Sequence, residues 1–93
     1  MNVRWQSQFK KDYRRMMKQG KDIAELDFVI TELSIPNTLP EQYLDHPLKG
    51  DYAGYNECHI EPDWLLIYGY EALDDGKRQL LLVRTGSHSD LFE

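Results

Sequence analysis

The chain has 93 residues, of which 41% are hydrophobic, and a formal net charge of −5 at pH 7. This length and composition predict one folded domain over residues 1–93, and they exclude a disordered chain. Neither a run of about 18 apolar residues nor the apolar stretch of a signal peptide is present, so we expect a cytoplasmic protein without a membrane span.

The N-terminal segment predicts a short strand followed by an amphipathic helix. Val3 and Trp5 alternate with a polar residue in the strand, which we place at 3–6. Ser7 is the expected N-cap of a helix that continues to about Gln19 and ends at Gly20. One apolar stripe runs along this helix through Phe9, Tyr13, Met16 and Met17.

Positive charge is concentrated in this first helix. Residues 1–21 contain seven basic side chains and one acidic one, whereas residues 22–93 contain four basic and fifteen acidic ones. Because charges act over about 8–10 Å in physiological salt, a basic helix face can bind phosphate on an acidic protein. The candidate RNA-binding residues are Lys10, Lys11, Arg14 and Arg15. A solvated helix face explains the same pattern equally well.

A second helix is predicted from Asp22 to about Ser34. Asp22 and Glu25 have the spacing of a capping box, and the inner face comprises Ile23, Leu26, Ile30 and Leu33. The two helices form a hairpin that turns at residues 20–21. A long loop then begins at Pro36, Asn37 and Pro40 and continues to about His46.

The remainder of the chain predicts strands. The candidates are Tyr52–Ile60, Trp64–Tyr70 and Gln79–Thr85, with turns at residues 62–63 and 74–76. Short connections favour antiparallel pairing. Helices followed by strands indicate an α+β fold in which the N-terminal helical hairpin packs on one face of an antiparallel sheet. The other face is then either solvated or functional.

Side chains suited to phosphodiester chemistry occur at the ends of these strands. Strand alternation places His59 on the same face as Tyr55 and Glu57, with Cys58 on the opposite face. Cys58, the one cysteine, is expected to be structural rather than a catalytic thiol. His46 precedes a strand, whereas Asp63, Arg84 and His88 lie near strand ends.

These residue types match the cleavage of RNA by its own 2′-hydroxyl. Histidine exchanges protons near neutral pH, and arginine binds phosphate oxygens with two hydrogen bonds. An aromatic ring stacks on an unpaired base, and the candidates are Tyr55, Trp64 and Phe92. The alternatives are structural histidines, a core tryptophan, an Arg84 ion pair with an acidic neighbour, and a zinc site formed by the histidines and Asp63.

Three segments resemble the YafQ-type toxins of the RelE/ParE superfamily. They are DHPLKG at residues 45–50, HIEPDWLLIY at 59–68 and RTGSHSDLF at 84–92. The resemblance implies two helices packed on an antiparallel sheet, as in microbial ribonucleases. It also implies cleavage of mRNA on the translating ribosome and inhibition by a cognate antitoxin. We expect no metal or cofactor, because acid–base side chains and arginine take the role of the cation. The active-site positions of the family correspond to His46, His59, Asp63, Arg84, His88 and Phe92, and Trp64 matches the tryptophan beside the aspartate.

On this resemblance, His88 is the leading candidate to protonate the leaving 5′-oxygen. His46 or His59 is the candidate base, with Asp63 orienting or sharing that role, while Arg84 stabilises phosphate charge and Phe92 positions the nucleotide. Two features depart from the family: the acidic net charge and a longer hairpin at residues 71–78.

The rival hypotheses are a related toxin that binds a protein target such as gyrase without nuclease activity, and a plain interaction domain.

Overall fold

Five strands form one mixed sheet, with helices on both faces. The computed structural model describes residues 1–35 and 39–92. The strands are β1 (Asn2–Trp5), β2 (His46–Pro47), β3 (Asn56–Glu61), β4 (Trp64–Ala72) and β5 (Arg78–Gly86). The helices are α1 (Ser7–Lys18), α2 (Ile23–Ser34) and α3 (His88–Phe92), and 3-10 turns occur at Glu41–Tyr43 and Gly50–Tyr52.

The strand order is β1-β5-β4-β3-β2. The strands β2 to β5 pair antiparallel to their neighbours, as the short connections predict. The predicted α+β fold with an N-terminal helical hairpin is therefore confirmed. β1 was predicted as a strand without a partner, and it pairs parallel with β5 at the edge of the sheet. The sheet is consequently mixed rather than wholly antiparallel.

The helical hairpin has the predicted turn but not the predicted N-terminal caps. Gly20 adopts φ +77°, and the backbone N–H groups of Gly20 and Lys21 donate to carbonyl oxygens in the last turn of α1, which is a Schellman ending. Ser7 lies inside α1, so its prediction as the N-cap is wrong. Asp22 precedes α2 without a side-chain capping bond, so the predicted capping box does not form.

The main core lies between the helical hairpin and one sheet face. The apolar stripe of α1 contributes Phe9 and Met16, and α2 contributes its predicted inner face together with Val29. Trp64 and Cys58 are fully buried in the same cluster. The segment that begins at residue 39 returns to this core through Leu39 and Tyr43. Pro36 and Asn37, predicted to begin the long loop, lie outside the described residues.

A second, smaller apolar cluster covers part of the opposite face, so that this face is not simply solvated. It comprises Leu65, Ile67, Leu81, Val83 and Leu91, against which Leu48, Tyr52 and Tyr55 pack. The predicted strand from residue 52 therefore starts too early: β3 begins at residue 56, because the preceding segment folds over this cluster. Among the described residues, no helix has the length and apolar character needed to cross a bilayer.

Candidate active site

Four aromatic ring contacts form a continuous row along the second sheet face and α3. The ring centroids of His46 and His59 are 6.1 Å apart, and those of His59 and His88 are 5.8 Å apart. The row continues to Phe92 at 6.4 Å from His88 and to Tyr52 at 5.9 Å from Phe92. All three histidines predicted from the sequence therefore meet in one place.

The sheet register explains why these distant residues meet. His46 in β2 pairs with Glu57 in β3, and His59 lies two residues further along the same face. The tight turn after β3 carries Asp63, and β4 starts next to the end of β5. Since α3 begins two residues after that end, His88 is brought to the turn that holds Asp63.

His88 is anchored on Asp63 through two hydrogen bonds. The imidazole Nδ1 lies 2.7 Å from the Asp63 carboxylate, and the backbone N–H of His88 donates to the same oxygen at 2.9 Å. These two bonds hold the pKa of Asp63 below its usual value. An Nδ1–H that donates to a carboxylate leaves Nε2 available to exchange a proton. The His88 side chain is 55% exposed, so substrate can reach it.

The first turn of α3 is fixed by a capping box, which the sequence analysis did not identify. The backbone N–H of Asp90 donates to the Ser87 hydroxyl at 3.1 Å, and the N–H of Ser87 donates to the Asp90 carboxylate at 3.0 Å. The Ser87 N–H is also the main reason why the pKa of Asp90 is lowered. Arg15 adds an ion pair with Asp90 at 3.5 Å. The orientation of His88 is thus set by its neighbours in the chain.

Glu57 is a site residue that strand alternation predicted on the correct face but without a role. Its carboxylate is buried and lies 3.5 Å from His46 Nε2 and 3.4 Å from His59 Nε2. One donor atom from each of these three side chains lies within 4.8 Å of the other two, so this group is able to hold a metal ion. The zinc site considered from the sequence included Asp63 as a ligand, but Asp63 contacts His88 and is not part of this group. The strand alternation that places Glu57 on the same face as His59 was the sequence signal that could have identified Glu57 as a site residue.

Arg84 is held by a fully buried carboxylate from α1. Its Nε and second terminal nitrogen donate to Asp12 at 2.7 and 3.3 Å, and Asp12 also accepts the Thr85 backbone N–H at 3.2 Å. This pairing is the main reason that the pKa of Arg84 is raised, and a hydrogen bond with Tyr52 contributes less. Arg84 therefore forms an ion pair with an acidic residue, which was the structural alternative to a phosphate-binding role. It also lies next to Tyr52, at one end of the row of rings.

Two of the aromatic candidates have different surroundings. Phe92 is 47% exposed beside His88 and is accessible to a nucleotide. Trp64 has no exposed surface, and its indole N–H donates to the Thr85 hydroxyl at 2.9 Å. The prediction that Trp64 contacts substrate is corrected: its side chain belongs to the core.

Cys58 lies on the sheet face away from the rings, and burial raises the pKa of its thiol. This placement agrees with the structural role that was expected of Cys58.

The four candidate RNA-binding residues of α1 divide into two groups. Lys10, Lys11 and Arg14 are exposed. Arg15 is half-buried and pairs with Asp12 at 3.3 Å and with Asp90 at 3.5 Å. The candidate RNA-binding surface on α1 is therefore formed mainly by the three exposed side chains, and Arg15 connects α1 to α3 through Asp90.

Comparison with known proteins identifies the class of protein. The family model described as the YafQ bacterial toxin of type II toxin–antitoxin systems matches residues 1–93. The mRNA interferase toxin YafQ of Escherichia coli K12 is 42% identical over 93 residues, covering 98% of this chain and 95% of the relative. The chain belongs to the YafQ toxin family, which confirms the resemblance seen in the sequence.

Solved structures agree in fold over almost the whole chain. The toxin in the E. coli DinJ–YafQ complex has a TM-score of 0.79 and 39% identity, covering 99% of this chain and 98% of that one. A metal-bound toxin from Helicobacter pylori has a TM-score of 0.86 and 38% identity, with 99% of both chains covered. The mixed α+β fold is thus shared with other toxins.

Proposed function

We propose that this toxin is an endoribonuclease that cleaves translated mRNA on the ribosome by metal-independent acid–base catalysis. The observation that carries the proposal is the exposed His88, anchored on Asp63 at 2.7 Å and next to His59 in a row of three imidazoles. Two proton carriers and a fixed guanidinium are the groups that 2′-hydroxyl attack on phosphate requires. The relative in E. coli is itself an mRNA interferase toxin.

The side chains supply each step of the reaction. His46 or His59 removes the proton of the 2′-hydroxyl, whose oxygen then attacks the adjacent phosphorus. His88 protonates the 5′-oxygen as its bond to phosphorus breaks, and Asp63 stabilises the imidazolium form before transfer. Arg84 stabilises the charge of the phosphorane-like transition state. The products are a 2′,3′-cyclic phosphate and a 5′-hydroxyl.

The remaining contacts position the RNA. Phe92 offers an exposed ring on which a base can stack, at about 1–3 kcal/mol per base. The exposed face of α1 contacts phosphates of mRNA or of the ribosome through Lys10, Lys11 and Arg14. Because the chain is acidic overall, we expect weak binding to free RNA and dependence on the ribosome for substrate orientation, which contributes several kcal/mol to lowering the barrier.

The natural inhibitor is proposed to be a cognate antitoxin. The E. coli relative has been solved in complex with DinJ, and the shared fold extends over nearly the whole chain. Ribosome, mRNA and antitoxin are all cytoplasmic partners, so the proposed place of action is the cytoplasm. The antitoxin is expected to restore growth of cells that express this toxin.

The direct test is to express the chain in growing cells and to map the 5′ ends of their mRNA. The proposal predicts rapid arrest of translation and new 5′-hydroxyl ends within translated codons. In purified reactions on programmed ribosomes, cleavage continues in excess chelator. Arrest of growth without new mRNA ends would instead favour the gyrase-type toxin, and loss of cleavage in chelator, restored by metal, would refute the mechanism.

A further inference from the structure

The segment that leads into His46 contains a strained backbone position. Leu44, two residues before His46, adopts the left-handed conformation, with φ 50° and ψ 42°. Within residues 1–35 and 39–92, no other residue except glycine has a positive φ. This conformation is unfavourable for a bulky L-residue, and Leu44 is 59% exposed, so that burial of its side chain compensates little. Neighbouring contacts must therefore maintain the strained turn.

The left-handed turn determines how the imidazole of His46 is held. The carbonyl oxygen of Leu44 lies 2.6 Å from His46 Nδ1. Because a carbonyl oxygen only accepts hydrogen bonds, Nδ1 carries the proton of the neutral ring and Nε2 holds a lone pair. The His46 side chain is 46% exposed, so substrate can reach it. Glu57, 3.5 Å from Nε2, stabilises the imidazolium that forms once Nε2 has accepted a proton.

A hydrogen bond from the core holds the same turn from the other side of the sheet. The hydroxyl of Tyr68 donates to the carboxylate of Asp45, the residue between Leu44 and His46. Tyr68 is only 2% exposed and belongs to the main core, whereas Asp45 is exposed. A rigid side chain in β4 thus fixes the backbone immediately before an imidazole that lies on the opposite face of the sheet.

We propose that the bond between Tyr68 and Asp45 positions His46 as the base that accepts the 2′-hydroxyl proton. The bond keeps the segment in its left-handed turn, and the carbonyl oxygen of that turn holds the ring with Nε2 free. His59 is held less closely, since its Nδ1 lies 3.3 Å from the carbonyl oxygen of Pro62. The role as a base rests on the proposed ribonuclease function, whereas the positioning is a property of the free toxin.

Tyr70 provides a matched control for Tyr68. Both tyrosines lie on β4, and their ring centroids are 5.9 Å apart. The Tyr70 hydroxyl donates to the carbonyl oxygen of Leu33 in the last turn of α2, at 2.9 Å. Tyr68→Phe and Tyr70→Phe therefore remove the same group from neighbouring rings and differ in the segment that loses its hydrogen bond.

The positioning is tested without RNA, by NMR of the imidazole nitrogens in the ¹⁵N-labelled toxin. At mildly alkaline pH, where imidazole is neutral, the parent should show His46 protonated on Nδ1, and His46→Ala assigns these signals. Tyr68→Phe should shift them towards a mixture of both tautomers, whereas Tyr70→Phe should leave them unchanged. Protonation of Nε2 in the parent, or unchanged His46 signals in Tyr68→Phe, overturns the proposal.

Asp45 provides a second pair of variants at an exposed position, should Tyr68→Phe fail to fold. Asp45→Ala removes the acceptor of the hydroxyl and should change the His46 signals. Asp45→Asn keeps an acceptor oxygen and should retain the parental signals. Circular dichroism verifies that the variants are folded. Parental His46 signals in Asp45→Ala would overturn the positioning role in the same way.

The consequence for cleavage is measured as the single-turnover rate at saturating programmed ribosome. Tyr68→Phe should lower this rate by about 10-fold or more, because a misplacement of about 1 Å can cost about 10²-fold, and Tyr70→Phe should cut at the parental rate. In a His46→Ala background, Tyr68→Phe should have no further effect, because it acts through the ring that is missing.

Three results would overturn His46 as the positioned base: a parental rate in Tyr68→Phe, an equal loss in both backgrounds, or a parental rate in His46→Ala. Each of them leaves the ribonuclease function intact. Absence of cleavage by the parent refutes that function separately, because the NMR result does not depend on it.

Discussion

Asp12 is expected to be the polar side chain that contributes most to stability. It is fully buried on α1, and it binds Arg84, Arg15 and the Thr85 backbone N–H. Asp12→Ala leaves a half-buried guanidinium without its carboxylate, and breaking a buried pair in this way costs about 3–5 kcal/mol. A chain of this length has a total stability of about 5–14 kcal/mol. We therefore expect a decrease in Tm of about 12 °C or more.

Urea unfolding, followed by tryptophan fluorescence and far-UV circular dichroism, measures this change. The matched control is Asp27→Ala, which removes an exposed carboxylate that accepts the Tyr13 hydroxyl at 3.1 Å. Its expected effect is within about 0.5–1 kcal/mol. An Asp12→Ala variant that unfolds within 1 kcal/mol of the parent would refute the reasoning that this buried carboxylate holds α1 to β5.

The contacts of Trp64, of Ser87 and of the exposed face of α1 can each be tested separately. Trp64→Phe should lower the free energy of unfolding by about 1–3 kcal/mol, since the Thr85 hydroxyl loses its indole donor. The cleavage rate at saturating ribosome should not change. Slower cleavage by a variant of parental stability would contradict the placement of Trp64 in the core. Ser87→Ala should cost about 0.5–2 kcal/mol of local stability, measured as faster amide exchange in α3, and unchanged exchange would refute the capping box. Replacing Lys10, Lys11 and Arg14 with glutamine should weaken association with ribosomes and flatten the dependence of this association on salt concentration. Unchanged association would indicate that these side chains form only a solvated face.

Sequence periodicity was sufficient to predict most elements of the fold. The apolar stripe of α1 correctly identified Phe9 and Met16 as core residues, whereas Met17, predicted on the same stripe, is 51% exposed. Strand alternation placed Glu57 and His59 on one face. The N-terminal helix caps were predicted wrongly, because a suitable residue type does not ensure that a side chain turns towards the backbone, whereas the ending of α1 at Gly20 was predicted correctly. Trp64 could not be assigned from alternation, since both faces of β4 are apolar.

The contacts between distant segments were not predictable from local pattern. Arg84 and Asp12 are 72 residues apart, and nothing near either residue indicates the other. The parallel pairing of β1 is a similar case, because a four-residue strand carries no signal for its partner. The proximity of the histidines could be predicted approximately, because all of them lie near strand ends. The position of Glu57 between two imidazole rings could not be predicted, because it depends on the register of β2 on β3.

The role of His88 as the proton donor is tested by the single-turnover cleavage rate of His88→Ala on programmed ribosomes. His88 is exposed and its side chain lies outside both cores, so its removal should change stability by no more than about 0.5–1 kcal/mol. The rate should fall by about 10²-fold or more, as for the loss of a general acid. Ser89→Ala, an exposed neighbour in α3, should cut at the parental rate. A folded His88→Ala variant that binds ribosomes and also cuts at the parental rate would show that His88 is not the proton donor.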